Sequence, residues 1–182
     1  MKERIHIFGA SGAGTTTLAK AICAQTGFTH LDSNDYLWAP TDPPFTTKRT
    51  PEERLALLGS DLDAAEHVVL SGSLVGWGDP LIPQFTLAVR LVTPTDVRLA
   101  RLEKREFERF GPRIREGGDM YEAHLAFLAW AAAYDEAGPE MRSVRQHDRW
   151  QKQLGCRLLT LDGTLPVDVL ADAVFRERNE KR

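Results

Sequence analysis

Residues 9–18 read Gly-Ala-Ser-Gly-Ala-Gly-Thr-Thr-Thr-Leu and decide the fold, because they join a short apolar run to a helical pattern. The apolar run at residues 5–8 predicts a buried strand, and the periodicity of residues 16–25 predicts a helix. Glycines let the backbone curl so that successive N–H groups point inward, and a helix N-terminus adds partial positive charge. The stretch therefore predicts a loop that binds phosphate groups.

The loop departs from the motif G-x-x-x-x-G-K-[ST] at one position. Thr15 stands where the motif has lysine, so the cation that would contact the β- and γ-phosphates is absent. Thr16 occupies the Ser/Thr position, which offers a hydroxyl to Mg²⁺. A degenerate, inactive loop and an ordinary glycine turn are the alternatives. We favour a working nucleotide site, because the rest of the loop is intact and arginines elsewhere can supply the charge.

The remainder of the chain alternates short apolar windows with longer helical patterns, which predicts βαβ units and a parallel sheet. Strands are expected at 5–8, 28–31, 68–71, 85–92 and 157–161. Helices are expected at 16–25, 51–66, 95–110, 119–137, 140–154 and 166–177. We predict a three-layer α/β fold in one domain over residues 1–182, with five parallel strands and helices on both faces of the sheet.

Composition argues against several classes of function. Of 182 residues 42% are hydrophobic, and a net charge of −3 gives no global positive field that would attract nucleic acid or anionic lipid. The apolar runs fall short of the roughly 20 residues of a membrane span, and the first residues lack a signal segment of about 7–15 apolar residues. We expect a cytoplasmic protein without nucleic-acid or membrane partners.

Cys23 and Cys156 lack zinc-site spacing and are expected to be buried.

Two irregular segments and one basic segment interrupt the pattern. Residues 38–50 contain three prolines, and residues 111–118 form a basic loop bounded by glycines. Long irregular stretches in a compact domain are often functional.

Seven basic and three acidic side chains lie between Arg98 and Arg115. This local excess of positive charge suits a segment that closes over polyphosphate. A solvated helix with Glu–Arg pairs at i,i+4 is the alternative.

With its glycine-rich loop and the segment Arg101-Leu-Glu-Lys-Arg105, the chain resembles the small P-loop kinases of the adenylate kinase, cytidylate kinase and shikimate kinase group. Archaeal cytidylate kinases similarly carry G-x-G-T-T-T where the lysine is expected, so Thr15 need not abolish activity. The resemblance implies Mg²⁺-dependent phosphoryl transfer from ATP to a small molecule, such as a nucleoside, a nucleotide or a similar hydroxyl compound. It also implies an acceptor-side insertion at about 36–60 and a lid at about 101–118. A nucleotide-binding switch without efficient turnover is the alternative function.

The resemblance assigns roles to three arginines. In R-x-x-x-R at the start of the lid, the first arginine stacks on adenine and the second reaches the transferring phosphoryl group, which gives these roles to Arg101 and Arg105. Arg142 lies where the family returns a further arginine after the lid. The residues assigned to nucleotide binding are Gly9, Ala10, Ser11, Gly12, Ala13, Gly14, Thr15, Thr16, Thr17 and Arg101.

Two aspartates follow the second predicted strand, at the strand end that faces the ligand crevice in a parallel sheet. Asp32 resembles the aspartate that binds Mg²⁺ or its waters beside Thr16, and Asp35 is the candidate that orients or deprotonates the acceptor hydroxyl. The predicted catalytic set is therefore Asp35, Arg105 and Arg142, and the predicted metal ligands are Thr16 and Asp32. An Asx turn at Asp32 and a helix cap at Asp35 are the alternative.

The acceptor side is less well defined by the sequence. Ser71 stands where the third strand of such kinases usually ends in aspartate, and it is expected to hydrogen-bond a metal-bound water. Aromatic and acidic side chains are candidates to line an acceptor pocket, or else are packing residues: Tyr36, Trp38, Trp77 and Asp79. Three basic side chains are candidates to hold an anionic acceptor, or else are solvated: Lys48, Arg49 and Arg54.

Overall fold

A five-stranded parallel sheet lies at the centre of the computed structural model, which describes residues 2–179. The strands are β1 (Arg4–Gly9), β2 (Thr29–Asp32), β3 (Val68–Ser71), β4 (Leu87–Val92) and β5 (Arg157–Asp162), in the order β2-β3-β1-β4-β5. The helices are α1 (Thr15–Thr26), α2 (Ser33–Leu37), α3 (Pro51–Ala64), α4 (Thr95–Phe110), α5 (Tyr121–Ala132), α6 (Val144–Trp150) and α7 (Val167–Asn179). Short 3-10 turns cover Asp79–Gln84, Gly111–Ile114, Ala133–Asp135 and Gln151–Gln153.

The central strands are covered on both faces, and this explains their apolar sequences. All residues of β1 and β3 are buried, and the two strands pair with Ile7 opposite Ser71. On one face Ile7 packs with Leu18 of α1 and Val174 of α7, and on the other Phe8 packs with Trp150 of α6. A parallel strand between two helical layers has no solvent face, so its sequence does not alternate. The predicted three-layer fold is confirmed.

Most predicted elements are confirmed, and local hydrogen bonds account for the differences. The strands begin and end within one or two residues of the predicted positions. The helix predicted at 140–154 begins only at Val144, because the Ser143 hydroxyl accepts a hydrogen bond from the backbone N–H of Gln146 and caps it there. Helix α2 was not predicted, since its five residues are too few to show a period. Cys23 and Cys156 are half-buried against the two core clusters.

Arg98 is the largest fully buried side chain of the described residues. Its guanidinium donates hydrogen bonds to the carbonyl oxygens of Thr93 and Ala131 at 3.0 and 3.1 Å, and to the Asp135 carboxylate at 2.9 Å. A buried cation is tolerated only when it is paired and its donors are satisfied. Arg98 belongs to the basic segment of the sequence, but its charge lies inside the protein, where it joins α4 to the end of α5. In the described part of the chain, no helix is both long and apolar enough to cross a membrane.

Two histidines are also fully buried. The His6 ring stacks on Phe85 with 4.8 Å between centroids, and its Nε2 hydrogen-bonds the Gly72 carbonyl oxygen at 2.8 Å. His147 hydrogen-bonds the hydroxyl groups of Tyr134 and Ser73 at 2.6 and 3.0 Å. Burial lowers the pKa of His6 to about 4 and, with help from nearby arginines, that of His147 to about 3. Both side chains are therefore neutral at pH 7.

Because of these two histidines, we expect the protein to lose stability in mild acid. In the unfolded chain their pKa is near 6.5, so below that pH the unfolded state takes up protons that the folded state excludes. Between about pH 6 and pH 5 the two groups together should lower the free energy of unfolding by about 2–3 kcal/mol per pH unit. His6→Phe keeps a ring next to Phe85 and should remove about half of this slope. Urea titrations from pH 7.5 to 5 measure it, and equal slopes for the two proteins would contradict the assignment.

Candidate active site

The loop between β1 and α1 needs glycine for two different reasons. Gly12 and Gly14 have positive φ angles of 82° and 101°, which L side chains rarely adopt. A Cβ added at Gly12 would lie 2.6 Å from the backbone oxygen of Arg98, whereas the atom nearest to a Cβ at Gly14 is the Arg101 Nη1, at 3.7 Å. Gly12 therefore allows close packing against α4. Gly14 supplies a backbone conformation, and a Cβ there would make only ordinary van der Waals contacts with Arg101 and Leu91.

Carbonyl oxygens of the loop are hydrogen-bonded to the surrounding protein. The Ser11 oxygen accepts from Arg98 at 3.4 Å, and the Ala13 oxygen accepts from the Thr93 hydroxyl at 3.2 Å and from Arg101 at 3.4 Å. The C=O and N–H of a trans peptide point in opposite directions, so carbonyls that bond outward turn the adjoining N–H groups toward the interior of the loop. The loop is thus a cradle of backbone donors suited to an anion, without the lysine of the motif.

Asp32 contacts Thr16, in the first turn of the helix that follows this cradle. Its Oδ2 accepts hydrogen bonds from the hydroxyl groups of Thr16 at 2.7 Å and Ser71 at 2.9 Å, because β2 and β3 pair with Asp32 opposite Ser71. The His30 Nε2 contacts the Ser71 hydroxyl at 2.9 Å. The Asp32 Oδ1 accepts from the backbone N–H of Asn34 at 3.0 Å and caps α2. Asp32, and not Asp35, therefore caps the helix, and the role of Asp32 as a metal ligand stays a prediction.

Thr16 and Asp32 suit a magnesium ion in their chemistry. Mg²⁺ takes oxygen ligands and in phosphate-transfer sites is held by one or two carboxylates, several waters and the substrate phosphates. Among residues 2–179 no group of three or more His, Cys, Asp and Glu side chains is arranged to hold a metal ion. The hydroxyl of Thr16 and the carboxylate of Asp32 could thus supply protein oxygens to such an ion, with phosphate and water as its other ligands.

Asp35 lies in the first turn of α2 and borders a cavity of about 290 Å³. Partial burial and the charge of Asp32 raise the pKa of this carboxyl, while His30, Arg109 and Lys20 oppose the shift. A raised pKa makes a carboxylate a better proton acceptor near neutral pH. The position and chemistry of Asp35 therefore suit a general base.

The three predicted arginines lie in different surroundings. Arg101 lies against the loop, where its Nη1 donates to the Gly163 carbonyl oxygen at 3.0 Å. Arg105 follows one turn later on α4 and pairs with the buried carboxylate of Glu106 at 3.1 Å. Arg142 packs over the ring of Trp130 in α5, 5.4 Å from its centroid. The structure thus brings Arg101 to the loop, while Arg105 and Arg142 make other contacts.

Several candidates on the acceptor side have structural partners. The Tyr36 hydroxyl donates to the Asp61 carboxylate at 2.6 Å, and the Asp79 carboxylate accepts from the Trp150 indole N–H at 2.8 Å. Trp38 borders the cavity beside Asp35. The Ser71 hydroxyl donates to Asp32, and its expected contact with a metal-bound water stays a prediction.

Contacts between the irregular segment 38–50 and the predicted lid at 101–118 were not foreseen. Arg113 forms a salt bridge with Asp42 at 3.0 Å, and the Arg109 guanidinium lies 5.5 Å from the ring centroid of Phe45. The partners are more than sixty residues apart in sequence, so no local pattern connects them. The segments 38–50 and 111–118 each carry two basic residues and one acidic residue, so their net charges did not indicate the pairing either. The segments predicted as insertion and lid meet above the cavity region.

Substitutions at Gly14 and Gly12 should affect different properties, the first ATP binding and the second stability. Gly14→Ala places an L residue in a left-handed backbone conformation and should turn the loop N–H groups out of position, so it should weaken Mg·ATP binding at least about tenfold with a loss of stability of only about 1–2 kcal/mol. Gly12→Ala should instead lower the unfolding midpoint strongly, because its Cβ meets the Arg98 backbone. Calorimetric titration with Mg·ATP and urea denaturation of each variant test this. ATP affinity equal to the parent's in Gly14→Ala would remove the loop from the site.

Comparison with known proteins gives the chain a family and its fold a set of relatives. The AAA domain family AAA_18 matches residues 5–119, which include the loop, both aspartates and the segment 101–118. The uncharacterized protein YqaC of Bacillus subtilis (strain 168) is 44% identical over 175 residues, which cover 96% of this chain and 97% of YqaC.

Two solved kinases share the architecture. A shikimate kinase from Acinetobacter baumannii, in complex with shikimate, aligns with a TM-score of 0.55 and 17% identity over 100% of this chain and 96% of that one. A gluconokinase from Sinorhizobium meliloti 1021 aligns with a TM-score of 0.51 and 19% identity over 94% and 88% of the two chains. The expected fold of a P-loop small-molecule kinase is confirmed. Because the family match spans more than half of its residues, the chain belongs to the AAA_18 family of AAA domains.

Proposed function

We propose that the protein transfers the γ-phosphoryl group of ATP to a hydroxyl group of a small molecule. The observation that carries this proposal is the 2.7 Å contact between Thr16 and Asp32 at the phosphate cradle, with Asp35 one helical turn further on beside a cavity. One end of the sheet thus presents a phosphate-binding loop, metal-binding oxygens and a base. The names shikimate kinase and gluconokinase, borne by proteins of the same fold, support a small acceptor.

The reaction needs positioning and neutralisation of charge more than covalent help from the protein. Loop N–H groups, those of Gly12 and Gly14 among them, would hold the phosphates, and Thr16 and Asp32 would hold Mg²⁺, which would neutralise charge on the phosphate oxygens. Asp35 takes the proton of the acceptor hydroxyl. The acceptor oxygen forms its bond to the γ-phosphorus as the bond from that phosphorus to the β–γ bridging oxygen breaks, and ADP leaves.

Arginines would replace the missing lysine in this scheme. Arg101 already lies beside Ala13 and Gly163, next to the loop, where a nucleotide base would stack on its guanidinium. Arg105 is half-exposed and one turn away on the same helix face, so it can exchange Glu106 for the transferring phosphoryl group. Arg142 would need to leave Trp130 to contribute, which makes it the weakest of the three assignments.

A second candidate function is nucleotide binding without efficient turnover. Thr15 in place of lysine and Ser71 in place of aspartate favour it, because both substitutions remove charge at the phosphates. Acceptor-dependent release of ADP separates the two functions. A protein that binds Mg·ATP and releases no ADP with nucleosides, nucleotides, sugars or hydroxy acids would be a binding module.

The two aspartates should respond differently to magnesium. Asp32→Asn removes a charged metal ligand and should raise the Mg²⁺ concentration for half-maximal turnover, whereas Asp35→Asn should lower kcat at least about 10²-fold at an unchanged Mg²⁺ requirement. Steady-state rates of ADP release across a Mg²⁺ titration measure both. Identical titration curves for the two variants would refute this division of roles.

Substitutions of Arg101 and Arg105 in α4 should separate effects on turnover from effects on ATP binding. Arg105→Ala should lower kcat at least about 10²-fold with little change in ATP affinity, because its charge is used at the transferring group. Arg101→Ala should mainly weaken ATP binding, because a stacked guanidinium contributes to the ground-state complex.

Lys104→Ala is the matched control on the same helix. Lys104 is 78% exposed and pairs with Glu108, so its loss removes a charge from α4 without touching the loop. Its kinetics should match those of the parent. Rates within about twofold of the parent for all three variants would make the basic segment a solvated helix.

A further inference from the structure

A chain of hydrogen bonds runs from the phosphate cradle to the edge of the sheet. The Thr16 hydroxyl donates to the Asp32 Oδ2 at 2.7 Å, and the Ser71 hydroxyl donates to the same oxygen at 2.9 Å. The Nε2 atom of His30 lies 2.9 Å from the Ser71 hydroxyl oxygen and forms the outer end of the chain. Ser71 is fully buried, so water does not compete for its hydroxyl group.

The number of hydrogens in this chain fixes the direction of each bond. A carboxylate oxygen only accepts, whereas a hydroxyl group has one hydrogen and two lone pairs. The one hydrogen of Ser71 goes to Asp32, so the contact between Ser71 and His30 is a hydrogen bond that His30 donates. His30 therefore carries its hydrogen on Nε2, because a bare nitrogen there would face a lone pair of the serine oxygen.

Strand β2 places His30 for this contact. His30 and Asp32 are two residues apart on β2, so their side chains lie on the same face of the sheet. Ser71 of β3 is the register partner of Asp32. The half-buried ring of His30 can thus reach the Ser71 hydroxyl while the carboxylate of Asp32 approaches it from the next position on that face.

The hydrogen bond from His30 has two effects on Ser71. A hydroxyl group that accepts a hydrogen bond is polarised and donates a stronger one. The bond also satisfies a lone pair of a buried hydroxyl, which would otherwise turn toward another donor. Both effects keep the Ser71 hydrogen directed at Asp32. The carboxylate held in this way accepts the hydrogen of Thr16, whose own lone pairs stay available for a cation.

We propose that His30 is a positioning residue for the metal site, and that through Ser71 it holds the Asp32 carboxylate and the Thr16 hydroxyl in the orientation that binds magnesium. This inference rests on the proposed kinase function, which assigns the ion to Thr16 and Asp32. A serine suits position 71 because it accepts one hydrogen bond and donates another, which a carboxylate cannot do.

The tautomer of His30 is a direct test. At about pH 8 the ring is neutral, because partial burial lowers its pKa, so only one of its nitrogens carries a hydrogen. Long-range ¹H–¹⁵N NMR spectra of the labelled protein should show that hydrogen on Nε2, with the His30 signals identified by their absence in His30→Gln. A hydrogen on Nδ1 would overturn the proposal.

Binding of ADP with and without magnesium tests the role of His30 at the metal site without turnover. Calorimetric titrations of the full-length protein in excess Mg²⁺ and in EDTA give the magnesium factor, by which Mg²⁺ strengthens ADP binding. His30→Leu should lower this factor at least about fivefold, the effect of one lost hydrogen bond. His30→Gln offers an amide N–H in its place and should stay within about twofold of the parent. An unchanged factor in His30→Leu, or a parent whose ADP affinity does not depend on Mg²⁺, would overturn the proposal.

A double variant tests the route through Ser71. Ser71→Ala should lower the magnesium factor about as much as His30→Leu does, and adding His30→Leu to it should change the factor less than about twofold. Losses that multiply in the double variant would contradict the proposal. His67→Leu is the control, because His67 stacks on Phe28 just before β3, at the other end of that strand from Ser71. Its magnesium factor should equal that of the parent.

Turnover assays keep this inference separate from the proposed function. Magnesium-dependent ADP binding that responds to the variants as expected, with no ADP release for any acceptor, would contradict the kinase function and leave the role of His30 standing. Acceptor-dependent ADP release with equal magnesium factors in the parent and His30→Leu would overturn the role of His30 and leave the kinase function standing.

Discussion

The carboxylate of Asp32 accepts hydrogen bonds from three elements at once: Thr16 in α1, Ser71 in β3 and the backbone of Asn34 in α2. A carboxylate has about four lone-pair directions, and the Asn34 side-chain amide donates to the fourth at 3.1 Å, so a cation would have to displace one of these donors. The paired register of β2 and β3, the start of α2 and the position of the loop threonine all depend on it. A serine at position 71 suits this arrangement, since a second carboxylate there would repel the first. The acidic group at the phosphate site therefore lies on β2, and β3 supplies a neutral donor to it.

The arginines of α4 serve two purposes: Arg98 is buried in the packing of the protein, and Arg101 lies at the candidate site. Arg98 shortly precedes the motif that begins at Arg101, yet it is buried. It holds Ser11, Thr93 and Ala131 together through hydrogen bonds to their carbonyl oxygens. Arg101, one turn along α4, lies at the surface of the loop. One helix thus stabilises the phosphate cradle from inside the protein and presents a cation to its open side.

Patterns in the sequence predicted the features that depend on residues close together in the chain. The five strands and the contact of Thr16 with Asp32 follow from apolar runs and from residues placed at strand ends, where a parallel sheet gathers its loops. The burial of Arg98 could not be predicted, because a charged residue on an amphipathic helix normally faces solvent. The bond from Tyr36 to Asp61 and the contact of Arg109 with Phe45 join distant segments. Such contacts depend on how the helices and loops pack against the sheet, and the hydrophobic periodicity of the sequence does not indicate that packing. The roles of Asp35, Arg105 and Arg142 in catalysis stay predictions.

The outward hydrogen bonds of the loop carbonyls have a thermodynamic consequence. A flexible loop that orders around a ligand loses backbone entropy equivalent to about 1–2 kcal/mol per residue. In this protein Arg98, Arg101 and Thr93 already fix the peptide groups of Ser11 and Ala13, so that entropy is lost when the chain folds. A phosphate group that enters the cradle meets donors in their final orientation, and their interaction energy goes into affinity. Rigidity of the backbone thus compensates for part of what an ammonium group at position 15 would contribute.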